Sequence, residues 1–150
     1  MITLALVGLA SMVVLPLYEV SSTRLKEAEL RQSLRIIRAG LDAYKAAADA
    51  GTLARVAGDS GYPPTLEQLT ESLEVATRRD PSEPPQRIVI LRQLPRDPFF
   101  QGSPEVPAGL TWNTRSYASR PDDPQPGADV FDVSSQSARV GLDGTPYGTW

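Results

Sequence analysis

The chain has no cysteine and no histidine among its 150 residues. The first absence excludes a disulfide framework and thiol chemistry. The second removes the commonest general base and the commonest zinc ligand together. Both lower the expectation of an enzyme sharply. An excess of basic charge is missing as well: 15 basic residues stand against 18 acidic ones, for a net charge of −3. That balance offers no basic face for nucleic acid. Charge is absent altogether from Met1 to Leu17, where Thr3 and Ser11 are the only polar residues.

What is present begins with that apolar run. As a helix it reaches roughly 25 Å, slightly less than the ~30 Å hydrocarbon core of a bilayer. A cleaved secretory signal would need a basic region ahead of it and small residues at the cut; Leu15-Pro16-Leu17-Tyr18 supplies neither. A buried core helix is a second reading. The favoured one is a membrane anchor that leads into a longer helix. Arg24, Lys26, Arg31, Arg35 and Arg38 all follow the run and none precedes it. Basic flanks prefer the cytoplasm, so the sequence as it stands would turn its soluble part inward. A missing basic segment upstream would repair both the orientation and the short span, and such a segment is expected.

After Val20 the composition changes. Leu30, Leu34, Ile37, Leu41 and Tyr44 recur at steps of four, three, four and three, which makes one apolar stripe on a helix. Charges fall between them, with Glu27, Arg31 and Arg35 spaced by four. The helix is predicted to run to about Ala50 and to stop at Gly51, with Gly40 its one weak interior residue. Pro16 is expected to kink it at the membrane exit. The stripe is expected to pack on the protein's own sheet; it is too short for a sustained coiled coil.

Fourteen prolines and eleven glycines concentrate after Gly58 and predict a loop-rich second half. Gly58 to Pro64 reads as a loop. Thr65 and Gln68 stand where a capping box would open a short helix through Ala76, with Leu66, Leu69 and Leu73 on its apolar face. Arg78 to Pro85 reads as solvated linker, Arg87 to Leu91 as a β-rich segment and Pro95 to Pro98 as a turn. Leu110 to Ala118 and Ala128 to Ser134 alternate as strands do, joined by the proline-rich Arg120 to Gly127. The tail, Val140 to Trp150, carries a turn at Asp143-Gly144 and two aromatics expected to pack back on the sheet. The expected fold class is α+β. Residues 1–20 form the transmembrane part of an N-terminal helix and 21–50 its amphipathic rear. Residues 51–150 form a globular domain with a small antiparallel sheet.

In this order the pieces resemble a known family. An apolar helical front with Gly8 and Pro16, followed by an amphipathic helix, is similar to the spine of type IV pilin-like proteins. Gly61-Tyr62-Pro63-Pro64-Thr65-Leu66-Glu67-Gln68-Leu69 resembles the YPT-x-x-Q-G-L segment of the major, G-type pseudopilin of type II secretion systems. Leu94-Pro95-Arg96-Asp97-Pro98-Phe99 resembles its LP-x-DPWG. Phe131-Asp132-Val133-x-Ser135, then Gly141-Leu142-Asp143-Gly144 and Trp150, resembles its FDL-x-S-x-G-x-DG…W ending. The chain departs from the family in lacking the basic leader and the FTLIE start. Aligning Gly8 and Pro16 with the family's glycine and proline places roughly six mature residues and a leader upstream of Met1. Phe99-Phe100-Gln101-Gly102 replaces the tryptophan–glycine turn, and Gln136 to Arg139 interrupt the ending.

The resemblance implies a pilin-like structural subunit, single-pass in the bacterial inner membrane, with its globular domain in the periplasm. Its partners would be copies of itself and other pseudopilins in a filament, an inner-membrane assembly platform and membrane lipid, with no nucleic acid. It also implies a calcium ion at the C-terminal loop. Here only Asp143 remains as a ligand, and Thr145-Pro146-Tyr147 stands where the family has an acidic pair. An ordinary turn is the competing reading of Asp143-Gly144. Other functions stay open: a minor pseudopilin or type IV pilus subunit; an anchored hydrolase using Asp122, Asp123, Asp129 or Asp132; and a membrane-anchored ligand-binding module with Trp112, Tyr117, Tyr147 and Trp150 as its face.

Overall fold

Strong helix formers and the absence of any glycine-proline punctuation between Leu17 and Ala39 let one helix run through the first third of the chain. The structure, a computed structural model, describes residues 2–55, 58–76 and 84–150, and side chains of the first helix from Tyr18 onward. Helix α1 spans Ile2–Asp49, 48 residues, or about 72 Å at 1.5 Å per residue. Gly8 and Pro16 lie within it, and their side chains fall outside the described ones. The helix ends one residue before the expected limit, and Gly51 closes it at φ +70°. Thr52 N–H donates to the Ala47 carbonyl at 2.9 Å and Gly51 N–H to the Ala48 carbonyl at 3.1 Å. These are the two bonds of a Schellman motif, which needs a left-handed residue where they cross.

The sheet is smaller than expected and is split in two. Strands β1 (Leu73–Glu74) and β2 (Arg87–Ile88) form one antiparallel ladder. Strands β3 (Trp112–Arg115) and β4 (Asp132–Ser135) form the other, with Trp112 opposite Ser135 and Arg115 opposite Asp132. The segment expected as a helix through Ala76 is corrected. It makes a single 3-10 turn at Leu66–Leu69, the Thr65 side chain accepts no capping hydrogen bond, and Leu73 sits in β1. The physical reason is tertiary: Gln68 accepts a hydrogen bond from the Tyr44 hydroxyl at 3.2 Å, and Leu91 N–H takes the Leu69 carbonyl at 2.7 Å. Those partners hold the turn open against helix continuation. The expected strand at Arg87 to Leu91 shrinks to two residues, and Leu110 and Thr111 belong to a 3-10 turn before β3. Most of the linker expected from Arg78 to Pro85 lies outside the described residues.

The core lies between α1 and the β3–β4 ladder. Leu30, Leu34, Ile37 and Leu41 are buried there with Leu66, Leu69, Leu94, Phe99, Trp112, Val130, Val133 and Tyr147; Tyr44 packs at its margin. Full burial of each aliphatic side chain stabilises by about 1.5–3 kcal/mol. Gly40 is explained by proximity: a Cβ there would stand 3.0 Å from Leu91 Cδ1 and 3.1 Å from its Cγ. The helix weakness at Gly40 is what lets the second half of the chain lie against α1.

Candidate functional site

Two surfaces of α1 carry the residues that bear on function. On the side facing the rest of the protein, every buried position among the described side chains of α1 lies between Glu27 and Ala48. Ahead of Glu27 no described residue of the helix is buried; Ser22 and Thr23 are half-buried and the others exposed. Tyr18 and Leu25 are each 73 % exposed, and Val20 is exposed as well. Exposed apolar side chains also occur outside the helix, at Val89, Leu110, Tyr117, Val140 and Leu142; what sets this segment apart is that none of its described residues is buried.

The second surface holds the C-terminal tail. Glu27 is only 6 % exposed, and its Oε1 accepts from Leu142 N–H at 2.7 Å and from the Tyr147 hydroxyl at 3.0 Å. Arg31 Nη2 faces Asp143 Oδ2 at 3.3 Å, and its guanidinium lies 4.2 Å over the Trp150 ring. Arg38 donates to Asp132 Oδ1 at 2.8 Å, to the Val133 carbonyl at 3.1 Å and to the Trp150 carbonyl at 2.7 Å. Steps of four and seven set these three side chains along one stripe of the helix. Tyr147 is fully buried, stacks on Phe99 at 4.1 Å and meets Trp150 edge-on at 5.0 Å. Burial, then the hydrogen bond and charge of Glu27, push the Tyr147 hydroxyl up from its ordinary range.

At the tail turn, Gly144 N–H donates to the Gly141 carbonyl at 3.0 Å and Gly141 N–H to the Thr145 carbonyl at 2.8 Å. Asp143 Oδ1 accepts from Thr145 N–H at 2.9 Å and from Thr145 Oγ1 at 2.6 Å. The hydroxyl of Thr145, then its amide, and the Arg31 charge hold the Asp143 carboxyl below the usual range. Calcium takes six to eight oxygens, several of them carboxylate. Among the described residues no three acidic, histidine or cysteine side chains gather into such a group, and a guanidinium faces the one carboxylate the turn offers. The residues present do not fit the ion. The residues Gln136 to Arg139, extra with respect to the family pattern, belong to the fold: Gln136 Nε2 donates to the Leu110 and Trp112 carbonyls, each at 3.0 Å.

The other candidate residues are dispersed. Asp122 pairs with Arg120, Asp123 accepts from Gln125, and Asp132 pairs with Arg38. Asp129 accepts from the Ser116 hydroxyl and Tyr117 N–H, both at 2.8 Å. Burial pushes the Asp129 carboxyl up, but bonds from Ser60, Tyr117 and Ser116 outweigh it and leave it below the ordinary range. Of the four aromatics weighed as a binding face, Trp112 and Tyr147 are core. Trp112 donates its Nε1–H to the Pro95 carbonyl at 3.0 Å. Tyr117 is exposed and stacks on Tyr62 at 5.9 Å, on a different cluster from Trp150. An open groove of about 1050 Å³ runs between β3–β4 and the Arg120 to Gly127 connection, and Trp112 and Trp150 line it without Tyr117 or Tyr147.

Glu27 reads in the sequence only as a helix-face charge and Asp97 only as part of a turn segment, yet both are buried and hydrogen-bonded. Asp97 accepts from Ser135 Oγ at 2.5 Å and from Phe99 N–H at 2.8 Å. For Glu27 and Arg38 a signal existed: with Arg31 they form a polar stripe beside the apolar one. For Asp97 the Leu94-to-Phe99 segment marked the turn, and Phe99 N–H bonds it locally, but its bond to Ser135, 38 residues away, had no sequence signal.

Among the described residues no helix is long and apolar enough to cross a membrane; the side chains of residues 1–17 lie outside that description. Comparison with protein-family models, curated proteins and solved structures finds no match for this chain.

Proposed function

We propose that this chain is a structural subunit of a periplasmic pseudopilus of a type II protein secretion system, held in the inner membrane by the front of α1 and assembled by packing of helical spines. The observation that carries this reading is the division of one 48-residue helix. Its rear buries Leu30, Leu34, Ile37 and Leu41 under its own sheet, while its front, from Leu25 back, offers Tyr18, Val20 and Leu25 to something else. Apolar spines exchange lipid for one another at little cost, since both surroundings are greasy, and close packing then decides which spines stay together. The ordered resemblance of the GYPPTLEQL, LPRDPF and FDVSS…GLDG…W segments supports the same reading. In this reading the subunit acts by burial; the aspartates weighed for acid–base work are dispersed, each beside its own cation, amide or hydroxyl.

The absence of cysteine makes the test clean. Tyr18→Cys and Leu25→Cys variants, expressed singly in cells beside the secretion machinery and treated with a mild copper oxidant, are each expected to give a disulfide-linked dimer that resists detergent and is lost on reduction, since one cysteine per copy permits one cross-link. A strictly monomeric product at both positions, with the protein in the membrane fraction, overturns the proposal.

A further inference from the structure

We propose that the C-terminal turn of this chain is held by a built-in cation, the Arg31 guanidinium, in the place where the resemblance implies a calcium ion, so that order in the tail does not depend on a divalent metal. Four residues close a ring around the turn. Arg31 faces Asp143 Oδ2 at 3.3 Å and stacks 4.2 Å over the Trp150 ring. The Trp150 Nε1–H donates to Thr145 Oγ1 at 2.6 Å, and that hydroxyl donates to Asp143 Oδ1 at 2.6 Å. Both carboxylate oxygens are therefore taken, one by hydrogen bonds within the turn and one by the helix cation. A divalent ion brought to Asp143 would meet the repulsion of Arg31 and would lack the further oxygen ligands it needs.

The physical advantage lies in mass action. A bound ion stabilises a fold in proportion to the logarithm of its free concentration over its dissociation constant. A cation carried on the same chain is present at a fixed effective concentration set by the helix. Glu27 and Arg38 complete the arrangement on either side: the first takes Leu142 N–H and the Tyr147 hydroxyl, the second the Trp150 carbonyl. The tail is thus gripped along α1 at three levels. The middle grip is half-exposed and answers to ionic strength. This inference concerns the chain's own fold and stands or falls independently of whether copies assemble.

Hydrogen exchange of the full chain in detergent micelles, read for the peptide covering residues 140–150, tests it. In the wild-type protein, millimolar calcium and a chelator are expected to give the same exchange rate. Arg31→Met, which keeps the stem and removes the charge, is expected to raise that rate about fivefold, the loss of one cation–π contact and one partly exposed ion pair. Calcium is expected not to reverse the increase. Calcium-dependent slowing of exchange in the wild type overturns the proposal, as does an unchanged rate in a folded Arg31→Met. If that variant fails to fold, the wild-type comparison with and without calcium decides alone.

Discussion

Glu27 and Tyr147 illustrate how much a single polar contact matters when both partners are out of water. The tyrosine hydroxyl is the tip of a fully buried ring, and its acceptor is a carboxylate that also takes the Leu142 amide. Hydrogen bonds to a charged acceptor contribute about 1.5–3 kcal/mol. Tyr147→Phe keeps the ring on Phe99 and leaves Glu27 its backbone donor, so the expected loss sits near the lower end, about 1.5 kcal/mol. A urea titration with unchanged slope and an earlier midpoint checks it. Glu27→Ala is expected to cost more, because it leaves the buried hydroxyl of Tyr147 and the Leu142 amide without their acceptor. In the sequence Glu27 looked like one more charge on a solvated helix face. The stripe it shares with Arg31 and Arg38 is visible in the sequence, but its partners, Leu142 and Tyr147, 115 and 120 residues away, are not.

Among the elements, the helix was the legible one. The stripe from Leu30 to Leu41 and the stop at Gly51 rest on local periodicity and on one residue's backbone freedom, both of which sequence carries. The strands were legible as places but not as lengths. Trp112–Arg115 and Asp132–Ser135 pair within the expected segments, with Ser135 one residue beyond the second. The ends are trimmed by a 3-10 turn at Ala108–Thr111 and by side chains such as that of Thr111, whose Oγ1 accepts from the Asp97 backbone N–H. The helix expected after Thr65 was lost because Gln68 turns to Tyr44 instead of capping. Gly40 shows the reverse case, a residue that looks like a defect in propensity and is a requirement of packing. Gly40→Leu places a branched side chain where Leu91 and Leu69 already lie within 3.4 Å of a bare Cβ. Overpacking of this kind costs about 1–3 kcal/mol, more than the roughly 1 kcal/mol of helix propensity regained. A lower melting temperature with undiminished helical circular dichroism is the expected result.

At the scale of the whole molecule, titration couples many groups to one stability curve. Asp49, Asp129 and Asp143 have carboxyls held below their ordinary range in the folded chain. Their contribution is complete above the unfolded value, near pH 4, and is lost as pH falls below it through the lowered folded values. Tyr44, Tyr62 and Tyr147 are pushed up, in each case first by burial. They favour the folded state below about pH 10 and withdraw that support as pH rises beyond it. Melting temperature against pH is therefore expected to show a broad plateau with an acid limb below about 4 and an alkaline limb above about 10. The absence of histidine removes the one side chain that would ordinarily titrate in the middle, so a step near pH 6.5 would contradict this account. The span between Glu27 and Tyr147 also fixes a timetable. While a ribosome is making the chain, the greasy stripe of α1 emerges early, and the ring that completes its cover is added only after Tyr147 has been translated. Until then the nascent polypeptide carries Leu30, Ile37 and Leu41 without their finished lid, an interval in which exposed apolar surface is open to association with other molecules.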